Sequence, residues 1–539
     1  MLEAGKPSFI KGAAILTAAS IFVKIVGAIY KLPIYNILDD AGAGSFQVTY
    51  SVYTLILTIS VAGIPAALSR LVSSAAANGE HGLVRRYFSV SMPAFMLIGM
   101  LAMLLMFFFA DAFARLMNNS MAAHGIRVLA PAVFFSCVIS VYRGYAQGFE
   151  DMIPTAASQV VEVLCKAAFG IAAAMWLVRA GAESDIVSAG AIMGVTLGLG
   201  LAIPLLMRYK SKLDRGRPPA PDKTALPRWP GVLGRIMAVS VPITLSASFM
   251  AIMVVIDSSI ILGRLQSALG FTELEASALF GIYSRVMTIY NLPPSLVVPI
   301  SISIIPAIAA ALAAKRAGEA GLIMRSSVKI VNLLAMPAAA GMIALASPIL
   351  IALYSETRQL ASTMLLIMGA ASFFACLQYI TTAILQANGH ERVALMTFPV
   401  GAALKITLGY FLAGNPNIGI VASPIGTLAC FIVISSLNIA FILARVKERP
   451  KFSSVFVKPL LCSAAMAGAA FLAYQALFRV GAGFIGAGRF AVAFYLAVAI
   501  SVGVAVYGVL IVVSRTVTME DMKLVPKGAK LAKLLRVRE

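Results

Sequence analysis

Arg143, Glu150, Asp151, Glu162 and Lys166 place five ionised side chains in the stretch YRGYAQGFEDMIPTAASQVVEVLCKAAFG, residues 142–170, around Gln147 and Gln159. Such groups can pair with one another, carry a proton or bind a charged ligand. Their spacing narrows the choice. Thr155, Gln159, Glu162 and Lys166 follow steps of 4, 3 and 4 and so share one helical face. Ser136, Ser140, Arg143 and Gln147 do the same on the segment before. Thr17, Ser20, Lys24 and Lys31 form a third stripe, and Gln47, Tyr50 and Thr54 a fourth. Polar stripes on several apolar helices predict one shared wet cavity, because charges in a bilayer are costly and face a cavity or a partner. Glu162 lies roughly 14 Å into its segment and Lys405 roughly 20 Å into its own, both near mid-depth. Lys11, Lys329 and Lys458 lie close to segment ends, where long side chains snorkel; Arg143 is near enough to an end to do either. The cavity candidates are Lys24, Lys31, Arg143, Lys166, Arg285 and Lys405 against Glu162 and Asp257, a positive sum that attracts an anion. The arginine fork suits phosphate, to which it can donate two parallel hydrogen bonds. The plainer alternative for Glu162 and Lys166 is an ion pair that fixes helix packing. For Glu150 and Asp151 the better reading is capping of the helix that follows, at its positive dipole end.

The elements that carry these residues are apolar runs. Only 12% of the 539 residues are charged and 60% are hydrophobic, where soluble domains carry roughly a quarter charged residues. Fourteen runs are long enough to cross a ~30 Å hydrocarbon layer. They lie near 9–34, 46–72, 87–110, 127–148, 153–178, 185–209, 231–262, 275–312, 328–353, 360–386, 392–413, 418–445, 455–478 and 488–514. The fold class is therefore all-α, a polytopic membrane protein. The first run is too long for a cleavable signal peptide, and Lys24 and Lys31 interrupt it. Cys137, Cys165, Cys376, Cys430 and Cys462 fall inside runs with no CxxC pair and are read as reduced packing residues. His81, His124 and His390 stand alone, there is no GxxxxGK[ST] loop, and no cofactor is expected.

The net charge of +21 would suggest nucleic acid in a soluble protein; here it expresses topology, because cytoplasmic loops collect Lys and Arg. With the N-terminus inside, 25 basic residues fall on the cytoplasmic side and seven on the other. Both termini are thus expected in the cytoplasm of a bacterial inner-membrane protein. The tail KLVPKGAKLAKLLRVRE can also press on anionic lipid.

The longest polar break is RYKSKLDRGRPPAPDKTALPRWP, 208–230, which follows six runs and precedes six more. The expected organisation is an N-terminal six-helix lobe 1–209, a basic linker 210–230, a C-terminal lobe 231–447, two further helices in 448–514, and a basic tail 515–539. The halves align at an offset of 239 residues: Ala132, Phe134, Phe135, Cys137, Gln147, Lys166 and Gly170 meet Ala371, Phe373, Phe374, Cys376, Gln386, Lys405 and Gly409. That reads as duplication. Six helices per half gives both halves one orientation, and transporters built this way bind substrate between the halves. The eighth run carries Arg285 and then Pro293–Pro294, each proline removing a backbone donor. Freed carbonyls are tolerated where they line a cavity. Pro33, Pro65, Pro299 and Pro306 add similar breaks, which serve either bending or static kinks.

KIVGAIYKLPIYNILDDAGAGSFQVTYSVY, AGIPAALSRLVS, YRGYAQGFEDMIPTAASQVVE and IYSRVMTIYNLPPSLVVPISISIIPAIA resemble the polysaccharide-exporter branch of the multidrug/oligosaccharidyl-lipid/polysaccharide flippase superfamily, in its stage V sporulation protein B/YtgP type, related to the lipid II flippase MurJ. The resemblance covers nearly the whole chain. It implies two six-helix lobes around a central cavity, two extra helices, and flipping of an undecaprenyl-pyrophosphate-linked saccharide to the outer leaflet. By that match Arg285 falls on the family's cavity arginine, Lys24 on a basic position of the first helix, and Lys31 near a second. Some members bind sodium through acidic and amide groups on their seventh and eleventh helices. Here the seventh run offers Asp257 as a candidate cation site, while the eleventh offers Lys405. The acidic residue that opens the family's second helix has no clear counterpart, since Asp39 and Asp40 lie several residues early. The implied partners are the lipid-linked oligosaccharide and membrane lipids, without nucleic acid, for a protein acting as a monomer.

Two rivals make different demands. A cation-coupled multidrug exporter of the same superfamily prefers an acidic cavity and typically twelve helices. A polytopic glycosyltransferase could use Asp39–Asp40 as a carboxylate pair, but every outer loop here is under about 20 residues, too short for an active-site lid. The chain is read as a transporter, not an enzyme.

Overall fold

A computed structural model describes residues 6–215, 227–446, 452–481, 483–484 and 486–514. All regular structure among them is helical, and fourteen spans are long and apolar enough to cross a membrane, as the apolar runs predict. The first half comprises α1 (Lys6–Ile37), α2 (Asp40–Val61), α3 (Ile64–Ala77), α4 (His81–Phe108), α5 (Ala110–Leu116), α6 (Ala122–Gln147), α7 (Ile153–Arg179) and α8 (Ser184–Arg215). The second comprises α9 (Trp229–Leu269), α10 (Glu273–Tyr290), α11 (Leu292–Ala313), α12 (Ala317–Ala344), α13 (Ala346–Tyr354), α14 (Gln359–Ala387), α15 (Glu391–Ala413) and α16 (Ala422–Arg445). Then come α17 (Phe452–Gly481) and α18 (Arg489–Val513).

Duplication shows in where the helices stop. The second crossing of the first half breaks between α2 and α3, just before Pro65; that of the second half breaks at Asn291, just before Pro293–Pro294. A proline is tolerated in a first helical turn, where its missing N–H had no partner to lose. α4 and α12 both have 28 residues, and each ends at one unwound residue, Phe109 or Leu345, before a short helix. The runs at 87–110 and 328–353 read as unbroken in sequence; the structure divides both. Asp40 opens α2, and Asp39 is its N-cap, accepting from the Gly42 N–H at 2.8 Å. The loop placement expected for these two aspartates is thus corrected, because a capping carboxylate starts the helix earlier than hydropathy does.

Packing divides the chain into two compact units, Met1–Ser284 and Arg285–Glu539. In the first, α6 is the most enclosed helix, held by α2, α3, α4 and α8. α7 lies close on α8, where Gly170 and Gly194 leave room for backbone on backbone. α9 packs on α2, α3 and α4, and Thr244 on it accepts the Gly63 N–H left over at the α2–α3 break, at 3.1 Å. In the second unit α14 takes the place that α6 has in the first, against α11, α12 and α16, while α17 packs on α12 and α18. Phe134–Phe135 and Phe373–Phe374 form equivalent ring pairs at 5.8 and 5.1 Å, and Cys137 and Cys376 are both fully buried. The packing boundary falls later than the polar break at 208–230 because α9 belongs by its contacts with the first-half helices. Most of that linker, the loop at 447–451 and the tail 515–539 lie outside the described residues.

Between α2 and the start of α10 the backbones nearly touch. A Cβ on Gly44 would collide with the Ser277 carbonyl, and one on Gly281 with the Asp40 carbonyl. Small residues on both helices, Ala41 and Gly44 on α2 and Ser277 and Gly281 on α10, permit such an approach. Ser277 seals it, its hydroxyl donating to the Ala41 carbonyl at 2.9 Å and accepting from Asn119 at 2.9 Å.

Candidate functional site

The four polar stripes converge only in part. α1, α2, α6 and α7 enclose a cavity of about 390 Å³ lined by Ser20, Val23, Lys24 and Gly27, by Tyr50, by Arg143, and by Gln159, Glu162, Val163 and Lys166. α7 supplies four of these because its 4, 3, 4 spacing keeps one face turned to α1. Ser136 and Ser140 are buried among helices instead, and Gln147 donates to Thr155 at 3.1 Å, which joins the ends of α6 and α7.

Glu162 pairs with Arg143 and not with Lys166. The Arg143 Nη2 lies 3.1 Å from Glu162 Oε2, while its Nε donates to the Ser158 hydroxyl at 2.9 Å. Among the described residues Lys166 has no carboxylate partner: its Nζ donates to the Tyr50 hydroxyl at 2.9 Å. It stands 4.8 Å from the Tyr50 ring centroid and 5.2 Å from that of Tyr30. Aromatic faces attract a cation without neutralising it. Tyr30 is fixed by donating to the Ala191 carbonyl at 2.9 Å, and Tyr50 by rings on both sides, Phe46 at 6.1 Å and Tyr53 at 5.7 Å. Lys31 lies outside the lining but 6.0 Å from the Tyr50 centroid. Three cations, Lys24, Arg143 and Lys166, thus line the cavity against one carboxylate. The ion pair Glu162–Lys166 fails because Arg143, on the neighbouring helix, reaches the carboxylate first. Asp151 accepts the Ile153 N–H at 3.0 Å in a local turn, but the N-cap of α7 is Met152, without a side-chain cap, and Glu150 occupies a left-handed turn at φ 62°; neither acidic residue is the cap expected of it.

Arg285 and Lys405 belong to the second unit. Arg285 is buried, and its Nη1 lies 3.3 Å from Oε2 of Glu356, in the link between α13 and α14. Glu356 also accepts from Arg358, from Nε at 2.7 Å, from Nη2 at 2.5 Å and from its backbone N–H at 3.1 Å. Burial opposes ionisation of Glu356, but the Arg358 hydrogen bonds and the charges of both arginines hold its carboxyl below the usual range. Glu356 is the functional candidate that sequence reasoning missed. It lies 71 residues from Arg285, and the signal available was a lone Glu-x-Arg in a short polar link. Lys405 is half-buried on α15, and Asp257 is buried on α9 in the first unit.

Two expectations meet the donor chemistry here. Among the described residues no three His, Cys, Asp or Glu side chains stand together, and the eleventh crossing supplies a lysine where sodium-binding members supply oxygen donors. Asp39 spends one carboxylate oxygen on its helix and the other on the Ser184 hydroxyl at 2.6 Å, so it is a cap rather than half of a catalytic pair.

A family profile described as polysaccharide biosynthesis protein matches residues 9–312. Among relatives from Bacillus subtilis (strain 168), the membrane protein YabM is 27% identical over 529 residues, 98% of this chain and 97% of its own length. Stage V sporulation protein B is 22% identical over 81% of this chain and 83% of its own. The lipid II flippase MurJ is 23% identical over 74% and 76%. Among solved structures, lipid II flippase MurJ in an inward closed conformation superposes with a TM-score of 0.66 at 14% identity, covering 93% of this chain and 98% of that one. A multidrug resistance MATE family transporter in an inward-facing conformation reaches 0.61 at 14% identity, over 80% and 98%. These structures share the fold of the chain.

Proposed function

The chain belongs to the polysaccharide biosynthesis protein family, and from that premise we propose that it flips an undecaprenyl-pyrophosphate-linked saccharide, lipid II or a related cell-wall precursor, across the cytoplasmic membrane. It is a multi-pass bacterial membrane protein and a flippase or transporter, not an enzyme. The observation that carries the substrate reading is the cavity in the first unit, where Lys24, Arg143 and Lys166 outnumber Glu162 and Lys166 has no carboxylate partner. A partly dry cavity with excess positive charge attracts a pyrophosphate far more than a cationic drug. Arg143 offers the fork, and the two lysines offer movable point charges. The relative named a lipid II flippase supports the same substrate class. Alternating access moves the cavity from one side to the other, and the membrane potential, about 2.3 kcal/mol per charge per 100 mV, can bias a lysine-lined cavity without a bound ion.

Native mass spectrometry of lipids that co-purify with the protein tests this reading. The expected result is a pyrophosphate lipid retained by the wild type and lost from a Lys24→Met, Lys166→Met double variant. Retention of cationic amphiphiles instead would point to the multidrug exporter.

Both termini are placed in the cytoplasm on the basis of the 25 to seven distribution of basic residues. A single cysteine introduced at Ser211, near the end of α8, is expected to react only from the cytoplasmic side, and one at Asn415, between α15 and α16, only from outside. Labelling of both from one side would end this topology.

A further inference from the structure

Of the side chains that line the cavity, Gln159 alone has a buried polar atom, Oε1, with no hydrogen-bond partner among the described residues. Native structures rarely leave such a group unpaired without a reason. Gln159 is three residues before Glu162 and seven before Lys166, so all three share the α7 face that meets the cavity. Glu162 has one oxygen engaged by Arg143, and no described residue donates to the other. The cavity therefore holds two kinds of group side by side. Lys24, Arg143 and Lys166 are donors only, and they suit phosphate, whose oxygens are acceptors. Gln159 and Glu162 offer acceptors that a phosphate has no hydrogen to satisfy.

We propose that Gln159, with the free oxygen of Glu162 beside it, is a specificity-determining residue that reads the sugar next to the pyrophosphate. Sugar hydroxyls and an acetamido N–H donate as well as accept, and a carboxamide complements both. For a sugar donor to complete the buried Gln159 oxygen, the amide must turn about its last torsion toward the cavity. The assignment rests on the flippase reading above and adds to it: lysine and arginine hold the part that every such lipid shares, and Gln159 discriminates the saccharide-bearing lipid from the bare carrier. A site built to hydrogen-bond a hydroxyl or N–H rejects a ligand lacking it, because its own polar group is then left unpaired.

The test titrates the purified full-length protein in nanodiscs with two probes, undecaprenyl pyrophosphate and the same lipid carrying one N-acetylhexosamine. Wild type is expected to prefer the sugar-bearing lipid. Gln159→Met, similar in length but without the amide, is expected to cut that preference roughly three- to tenfold and to leave the affinity for the bare lipid where it was. Gln159→Asn keeps an amide but withdraws it by one methylene; it is expected to lose the same preference and carries the comparison if the methionine variant does not fold. Equal affinity changes for both lipids, or an unchanged preference in both variants, would overturn the proposal. The two readings fail differently. If wild type binds neither lipid and Lys24→Met changes nothing, the flippase reading falls; if Lys24→Met weakens both lipids while the Gln159 variants keep the preference, only the role of Gln159 falls.

Discussion

Lys166→Met is expected to lose complementation of a flippase-depleted strain while the protein accumulates at its normal level. No carboxylate holds Lys166; its ammonium is kept in place by the Tyr50 hydroxyl and by two ring faces. Removing it leaves no buried anion behind, so the fold is spared. On the proposed reading it also removes a charge-assisted contact to the pyrophosphate, worth about 1.5–3 kcal/mol, or roughly ten- to a hundredfold in affinity. Lys166→Arg keeps the charge and is expected to fall between. Tyr50→Phe keeps the ring but not the hydroxyl, and its loss is expected to be a few-fold. Growth at the wild-type rate with Lys166→Met, together with undiminished lipid retention, would remove the cavity from the mechanism.

Glu356→Ala is expected to destabilise the protein more than Arg285→Ala does. Breaking a buried ion pair costs about 3–5 kcal/mol because it strands a charge, and the two ends of this pair are not alike. Without Arg285, Glu356 keeps its three hydrogen bonds from the half-exposed Arg358. Without Glu356, the guanidinium of Arg285 stays behind, buried, and loses the carboxylate that lies 3.3 Å from it. Thermal unfolding in detergent should rank wild type, Arg285→Ala and Glu356→Ala in that order, with the double variant less affected than the sum. The reverse order would show that the energy of the cluster resides elsewhere. Since Glu356 ionises below the usual carboxylate range in the folded state, its contribution is complete above that range and is lost as pH falls beneath it. Glu356→Gln should therefore flatten the acid limb of the stability profile. Arg285 is expected to touch the ligand from its place among the cavity cations and from the resemblance; a loss of lipid retention in Arg285→Ala, at a temperature where that variant is fully folded, would give it that role as well.

The membrane spans were legible because hydropathy is a local property: fourteen runs gave fourteen spans. Duplication was legible through Phe134–Phe135 and Phe373–Phe374, since ring pairs and the buried cysteine after them constrain equivalent helices in the same way. The stripe on α7 was legible from spacing alone. What escaped were relations between helices. Spacing paired Glu162 with Lys166 within one helix, but a longer guanidinium on α6 lies nearer. Arg285 and Glu356 are 71 residues apart, and no periodicity links them. The helix breaks at Phe109 and Leu345 escaped because the residues that unwind are as apolar as their neighbours.

The contact of Gly44 with Ser277 and of Gly281 with Asp40 has a consequence for how this end of the first unit can be measured. Backbone meets backbone there, pinned by the Ser277 hydroxyl on the Ala41 carbonyl. Adhesion of that kind is short in range: an ångström of added separation forfeits up to about half of the dispersion attraction. Thickness at one position then becomes a calliper. A series at Gly281 through Ala, Ser and Val inserts spacers of graded width, and the width at which activity fails reports how closely these two helices must approach during the working cycle.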